Sequence, residues 1–203
     1  MPIWVYDSPT MRRLIYSMGV SLDGYITGPD GRHDWSVPDE ELHRFHNEQT
    51  AALGAHLLGR RLYEDMVVWE TEEQPGDVRS EFAAAWGALD KVVFSTTLHA
   101  VKGTARLATA GIAEEVARLR EQPGGDIAVG GAGLAADVIR LGLMDEYHLF
   151  VSPIVVGGGT PFFPALDVPI GLELIETRTF GSGVVYLRYR STAAPGSPPA
   201  AAY

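Results

Sequence analysis

The sequence predicts one α/β domain, a mixed and mostly parallel sheet flanked by helices with a C-terminal antiparallel hairpin. Three observations carry that expectation. Short apolar, β-rich runs alternate with helix-periodic stretches from residue 13 to residue 151, the pattern of parallel strands joined by crossover helices. Strands break on glycine and pass at once into a helix, as in Leu57-Leu58-Gly59-Arg60-Arg61 and Ala128-Val129-Gly130-Gly131. Two alternating runs, 172–179 and 184–190, flank Gly181-Ser182-Gly183, which is a hairpin signal.

The elements follow in order. Residues 1–10 are read as a flexible N-terminal extension, with Met11 an alternative start, and residues 11–190 as the domain. The first strand covers 13–20 and runs into Asp23-Gly24 and a loop rich in Gly, Pro and Asp. Pro38 followed by Asp39, Glu40 and Glu41 opens a helix over 39–53. Proline suits the first helical turn, and acids there complement the helix dipole. Strands at 55–58, 91–95 and 126–129 then alternate with helices at 60–69, 78–88, 111–121 and 132–141. Apolar runs at 146–151 and 153–156 precede the hairpin. Residues 191–203, STAAPGSPPAAAY, are too poor in apolar side chains to add to a core and are read as a disordered tail.

Composition excludes several classes of function. The formal charge of −10 opposes broad attraction to nucleic acid. No cysteine is present, so disulfides, thiolate nucleophiles and Cys-ligated zinc are ruled out. No run approaches the ~20 apolar residues of a membrane helix, and no signal-peptide order is visible, so the expectation is a cytoplasmic protein. Of 16 basic residues only Lys91 and Lys102 are lysines. An anion site in this chain is therefore built from arginine and backbone N–H groups.

Four stretches offer chemistry. In 126–139, DIAVGGAGLAADVI, the glycines Gly130, Gly131 and Gly133 join a strand to a helix. Free N–H groups and the positive end of a helix dipole then meet in one place, an arrangement suited to phosphate. A tight turn with no ligand competes evenly with that reading. In HLLGRRLYEDM, Arg60 and Arg61 open a helix, where cations oppose the dipole. A phosphate would explain them, and a 2′-phosphate would select NADP. The plainer reading makes Arg60–Glu64 and Arg61–Asp65 surface pairs. The third stretch, VVFSTTL, puts Ser95, Thr96 and Thr97 at a strand's carboxyl end, the edge where open α/β sheets bind ligands. In the fourth, Trp35 precedes the acidic helix start, and Glu41, Leu42 and Phe45 set a carboxylate beside an apolar face, where it could hold a proton or anchor a substrate.

Taken in order, SLDGYI, LLGRR, VVFSTTL, IAVGGAGL and SPIVVGGGTPFF resemble the dihydrofolate reductase superfamily. The branch is the one related to the reductase (C-terminal) domain of the bifunctional riboflavin-biosynthesis deaminase–reductase. The resemblance spans roughly residues 11–190. It implies a three-layer dihydrofolate reductase-like fold, a homodimer, a small heterocyclic or pterin-like substrate, and NADPH across the sheet edge. By that pattern Val20, Asp23, Gly24 and Ile26 lie near the nicotinamide. Gly59, Arg60 and Arg61 take phosphates, Ser95, Thr96 and Thr97 surround the adenine ribose, and Gly130, Gly131, Ala132, Gly133 and Leu134 hold the pyrophosphate. Asp23, Trp35 and Glu41 are the catalytic candidates.

The sequence departs from the pattern at three points. Leu62 stands where dihydrofolate reductases carry threonine. Spacing from Trp35 selects Glu40 as the substrate carboxylate, whereas the Leu42/Phe45 register selects Glu41. The stretch 152–170, expected to border the substrate, holds no Lys, Arg or His. Other functions weighed are a non-catalytic dinucleotide-binding protein, dihydrofolate reduction itself, and a metal hydrolase on Glu40, His43 and His46. The two histidines of the last are expected to be solvated.

Overall fold

The computed structural model describes residues 11–192. Two expected segments, residues 1–10 and the tail from 193 onward, lie outside them. The strands are β1 (Leu14–Ser21), β2 (Tyr25–Thr27), β3 (Leu53–Gly59), β4 (Asp90–Phe94), β5 (Ala105–Leu107), β6 (Asp126–Gly130), β7 (Glu146–Ser152), β8 (Thr160–Pro161), β9 (Leu172–Thr179) and β10 (Val185–Ser191). The helices are α1 (Glu40–Ala51), α2 (Arg60–Met66), α3 (Val68–Thr71), α4 (Asp77–Gly87), α5 (Ile112–Arg120) and α6 (Ala132–Arg140), with a 3-10 turn at Asp34–Ser36. An eight-stranded sheet runs β5-β4-β3-β6-β1-β7-β10-β9. Its first six strands are mutually parallel, and β10 lies antiparallel to both β7 and β9. The mostly parallel sheet with a closing antiparallel hairpin is the architecture expected.

Side chains alternate across each strand, so the sheet has two faces of separate composition. On one face Leu14, Tyr16, Leu57, Val92, Ile127, Val129 and Tyr147 meet Val116 and Leu119 of α5 and Leu134, Ala135 and Val138 of α6 in a single apolar cluster. The other face carries two separate clusters. Leu42 and Phe45 of α1 pack on Phe150, Phe180, Val184 and Tyr186. Leu58, Tyr63, Trp86, Leu89 and Val93 form the second under α2 and α4. Between these two clusters the sheet is covered by no apolar cluster.

Several element boundaries differ from expectation, each for a local reason. The apolar run 153–156 is not a strand. Pro153 has no N–H to donate, the Ile154 carbonyl accepts from Leu22 N–H, and the N–H groups of Val156 and Gly157 are held by the Asp23 carboxylate. Val155 is left 66% exposed. The helix expected over 60–69 is interrupted at Val67, which caps α2 and starts α3. The short strands β2, β5 and β8 carry too few residues to show a period. β10 reaches Ser191, and Thr192 N–H donates to the Gly171 carbonyl, so the chain is ordered two residues into the stretch read as tail.

Candidate cofactor edge and adjoining cavity

Because β4, β3, β6, β1 and β7 are adjacent and parallel, their carboxyl ends form one row. Ser95–Thr97 follows β4, Gly59–Arg61 follows β3, Gly130–Leu134 follows β6, Ser21–Gly24 follows β1, and the 153–159 loop follows β7. Topology thus brings together nearly all the cofactor-binding candidates, which come from well-separated parts of the chain. Two of them, Val20 and Ile26, turn their side chains into the apolar cluster instead.

At the centre of the row, Gly59 is the N-cap of α2 and Gly131 the N-cap of α6, and neither helix start has a side-chain cap. Gly131 has φ +94°, a conformation that costs a β-branched residue dearly. A Cβ on Gly130 would collide with the Leu62 side chain and approach His56 Nε2 to 2.8 Å. Leu62 thus occupies the space over Gly130. Arg60 reaches Glu64 at 3.5 Å. Arg61 makes no ion pair or side-chain hydrogen bond among the described residues, so only one of the two surface pairs considered from sequence exists. Ser95 Oγ accepts from the N–H groups of Thr97 and Leu98, which fixes the turn and leaves Thr96 and Thr97 exposed.

The catalytic candidates are more dispersed. Asp23 is exposed and clamps the loop after β7 by accepting from Val156 and Gly157 N–H at 3.1 and 2.8 Å. Ser21 and those two amides hold its carboxyl below the usual range. Trp35 lies in the 3-10 turn with its indole N–H buried and unpartnered. The next residue, Ser36, packs over Gly19 of β1. Glu41 is turned toward the hairpin, where Gly181 N–H and Arg178 hold it ionised below the ordinary carboxylate range. Glu40 is paired with Arg44 on the outer surface of α1. Neither carboxylate lines the large cavity of the second face.

A cavity of about 460 Å³ lies between the two clusters of the second face. Its floor is Ile15, Ser17 and Gly19 of β1 with Asp126 and Ala128 of β6. His43, His46, Gln49 and Thr50 of α1 form one wall, Met66, Trp69, Phe82 and Trp86 another, and His56, His148 and Phe150 stand on flanking strands. His43 and His46 are therefore not solvated as expected. His43 meets the rings of Trp69 and Phe82 edge-on, and His46 lies 4.3 Å from Phe150. Burial, aided by the charge of His43, lowers His46 to about 4. Burial and Lys91 lower His56 to about 3, so both imidazoles are neutral near pH 7. His56 Nδ1 and Trp86 Nε1 are buried without partners.

The cavity's far end is ionic but balanced. Glu146, fully buried, accepts from Arg13, Arg188, Arg190 and His148, and Arg13 also pairs with Asp126. Burial opposes ionisation of Glu146, but His148 and the arginines prevail and hold its carboxyl far below the usual range. Sequence reasoning missed this cavity because its lining comes from nine elements. One signal was present, however: the alternation Arg13-Ile15-Ser17-Gly19 against Leu14-Tyr16-Met18-Val20 within the first strand.

Sheet order, helix placement and the glycine-lined carboxyl edge define a dihydrofolate reductase-like α/β protein. The RibD C-terminal domain matches residues 12–186, and the chain belongs to that family. YyaP, an uncharacterized protein of Bacillus subtilis (strain 168), is 35% identical over 181 residues, covering 88% of this chain and 94% of YyaP. YwjB of the same organism is 30% identical over 175 residues, covering 85% of this chain and 95% of its own. A Shewanella sp. PV-4 structure assigned to riboflavin biosynthesis has TM-score 0.73 at 19% identity, covering 90% of this chain and all of that one. The Thermotoga maritima diaminohydroxyphosphoribosylaminopyrimidine deaminase/5-amino-6-(5-phosphoribosylamino)uracil reductase has TM-score 0.62 at 16% identity over 89% of this chain and 57% of its own. Dihydrofolate reductase from Enterococcus faecalis, complexed with NADP(H), has TM-score 0.58 at 16% identity over 89% of this chain and 97% of its own.

Proposed function

We propose that the protein is a cytoplasmic NADPH-dependent oxidoreductase acting on a small heterocyclic substrate. One observation carries the reading: a glycine-lined carboxyl edge, with two helix starts that lack side-chain caps and with Arg61 unpaired among the described residues, adjoins a cavity of substrate size. The two adjoin through neighbouring residues. Gly19 in the cavity floor lies two residues before the end of β1, and the His56 ring of the cavity wall abuts Gly130 of the edge.

The residues present fit a dinucleotide. Gly133 has open space where a Cβ would stand, and the first N–H groups of α6 are free of side-chain caps, so a pyrophosphate has donors and room there. Arg61, with Arg60, would hold the 2′-phosphate, and Thr96 and Thr97 offer exposed hydroxyls to a ribose. NADPH supplies the hydride. Asp23, by tying the turn after β1 to the 156–157 amides, keeps the edge open at the nicotinamide end. The aromatic cavity walls orient a flat substrate and exclude water. The reading includes a homodimer, for which β9 leaves an edge strand with Leu174 51% exposed. Among the described residues no helix is long and apolar enough to cross a membrane.

Fluorescence titration with NADPH and NADH tests the cofactor. Charge-assisted contacts to a phosphate are worth ~1.5–3 kcal/mol, one to two decades in affinity. NADPH is expected to bind tighter by that factor, and the Arg60→Ala, Arg61→Ala double variant to lose the preference. Equal dissociation constants in the wild-type protein overturn the reading.

A further inference from the structure

We propose that the cavity takes an uncharged, planar nitrogen heterocycle that carries no phosphate group. The proposal rests on the reductase reading and specifies its substrate class. The argument begins with shape. Trp69, Phe82, Trp86 and Phe150 line the 460 Å³ space, and aromatic walls favour a flat ring that can stack or meet them edge-on.

Charge is the second argument. A cationic ring needs a carboxylate inside the site, and none is available. Glu40 and Glu41 are turned away to Arg44 and Arg178, and Asp126 is already held by Arg13 at 2.5 Å. An anion needs a free cation, and the lining offers only Arg13 and Arg188. Both are bonded to the fully buried Glu146, at 2.9 and 2.8 Å. Arg13 also holds Asp126 and Arg188 lies 3.7 Å from Glu176, so with Arg190 three arginines face three carboxylates, and a phosphate among them would add uncompensated negative charge beside the buried Glu146.

Polarity without charge is the third. Ser17, Gln49 and Thr50 line the cavity with uncharged hydroxyl and amide groups that take part in no side-chain hydrogen bond among the described residues. The ring N–H, ring nitrogen and carbonyl groups of an uncharged heterocycle match such donors and acceptors in kind.

Riboflavin and its 5′-phosphate, flavin mononucleotide, form a matched pair differing only in the phosphate. Their binding to the full chain, without NADPH, is read by flavin fluorescence anisotropy. Riboflavin is expected to bind roughly tenfold tighter or more. The floor variant Ala128→Leu is expected to weaken riboflavin by about the same factor and leave the NADPH titration unchanged. Should Ala128→Leu fail to fold, Trp69→Ala, at a half-buried wall position, is expected to show the same loss. Equal or tighter binding of flavin mononucleotide overturns the proposal, as does riboflavin binding that ignores both variants or the absence of binding by either flavin up to its solubility limit. Loss of NADPH binding alongside intact flavin discrimination overturns the cofactor reading instead and leaves the charge-neutral site standing.

Discussion

The two faces of this sheet are built to different rules. Toward α5 and α6, strands β1, β3, β4, β6 and β7 present aliphatic and aromatic side chains to one continuous cluster. Parallel strands usually bury both faces in apolar side chains. Toward α1 and α4, the same strands present Arg13, Ser17, Asp126, His56, Glu146 and His148, and the apolar contacts retreat into two clusters on either side. A parallel sheet that surrenders half of one face to polar groups gives up packing energy there. A ligand site is a physical reason to do so, and the fold's stability rests mainly on the other face.

That division can be broken by a pair of substitutions on adjacent strands. Ile127 is fully buried in the continuous cluster, and Ile15 lines the cavity floor at 7% exposure. Truncating an isoleucine to alanine in a close-packed core costs about 2–5 kcal/mol, rising with the void left behind. Ile127→Ala is expected to fall within that range. Ile15→Ala enlarges a space that already exists, and its cost should sit at or below about 2 kcal/mol. Urea unfolding followed by circular dichroism measures both. Equal losses would mean that the two faces support the fold alike.

How far the sequence foretold this arrangement follows the same division. The continuous face was legible, because β1, β3, β6 and β7 are apolar runs and α5 and α6 carry a helical period on one side. The row of loops at the carboxyl edge was legible too, because strand-to-helix glycines mark where parallel strands end. The cavity was not. His43 and His46 sit on a helix whose other side chains are mostly polar, and it is the packing of Trp69, Phe82 and Phe150, from three other elements, that gives them an aromatic surround. The Leu42/Phe45 register selected Glu41 as a substrate carboxylate, yet Arg178 and Gly181, some 140 positions later in the chain, decide where it points. The run 153–156 has strand composition, but its hydrogen bonds go to Asp23 and Leu22, a pairing that composition cannot reveal.

A second, smaller effect sharpens the comparison through pH. Folding lowers His46 from 6.5 to about 4 and His56 from 6.5 to about 3. Below pH 6.5 the unfolded chain binds protons that the folded chain refuses, so stability falls as pH drops from 6.5, down to about 4 through His46 and about 3 through His56. Carboxylates act lower: the Arg106 bond lowers Glu115 from 4.5 to about 2, and its contribution is full above 4.5 and lost between 4.5 and 2. Between pH 6.5 and 4.5 the histidines therefore act before Glu115 does. In the double variant His46→Leu, His56→Leu, stability should be nearly flat with pH between 6.5 and 4.5, and its further pH dependence below about 3 should match that of the wild type. An unaltered upper slope in denaturant titrations across that range would falsify the assignment of neutral histidines to the cavity.

The smallest expected effect has the clearest sign. Gly133 is the second residue of α6, its φ is not positive, and nothing lies within 4 Å of where its Cβ would stand. Nothing in the protein requires glycine there. Alanine is a better helix former and restricts the unfolded chain, so Gly133→Ala should stabilise the free protein by about 0.4–1 kcal/mol. Gly131, two residues earlier at φ +94°, should behave oppositely, because Gly131→Ala forces a side chain into left-handed backbone and loses stability. If α6 receives a pyrophosphate on its first N–H groups, the methyl of Gly133→Ala stands where phosphate oxygens approach. The variant should then melt higher than wild type alone and show a smaller rise in melting temperature on adding NADPH, since a ligand stabilises in proportion to the logarithm of its affinity. Differential scanning fluorimetry with and without NADPH reads both numbers in one experiment. A higher melting temperature with the full cofactor-induced shift would remove α6 from the cofactor edge and leave the glycine as an unoptimised helix residue.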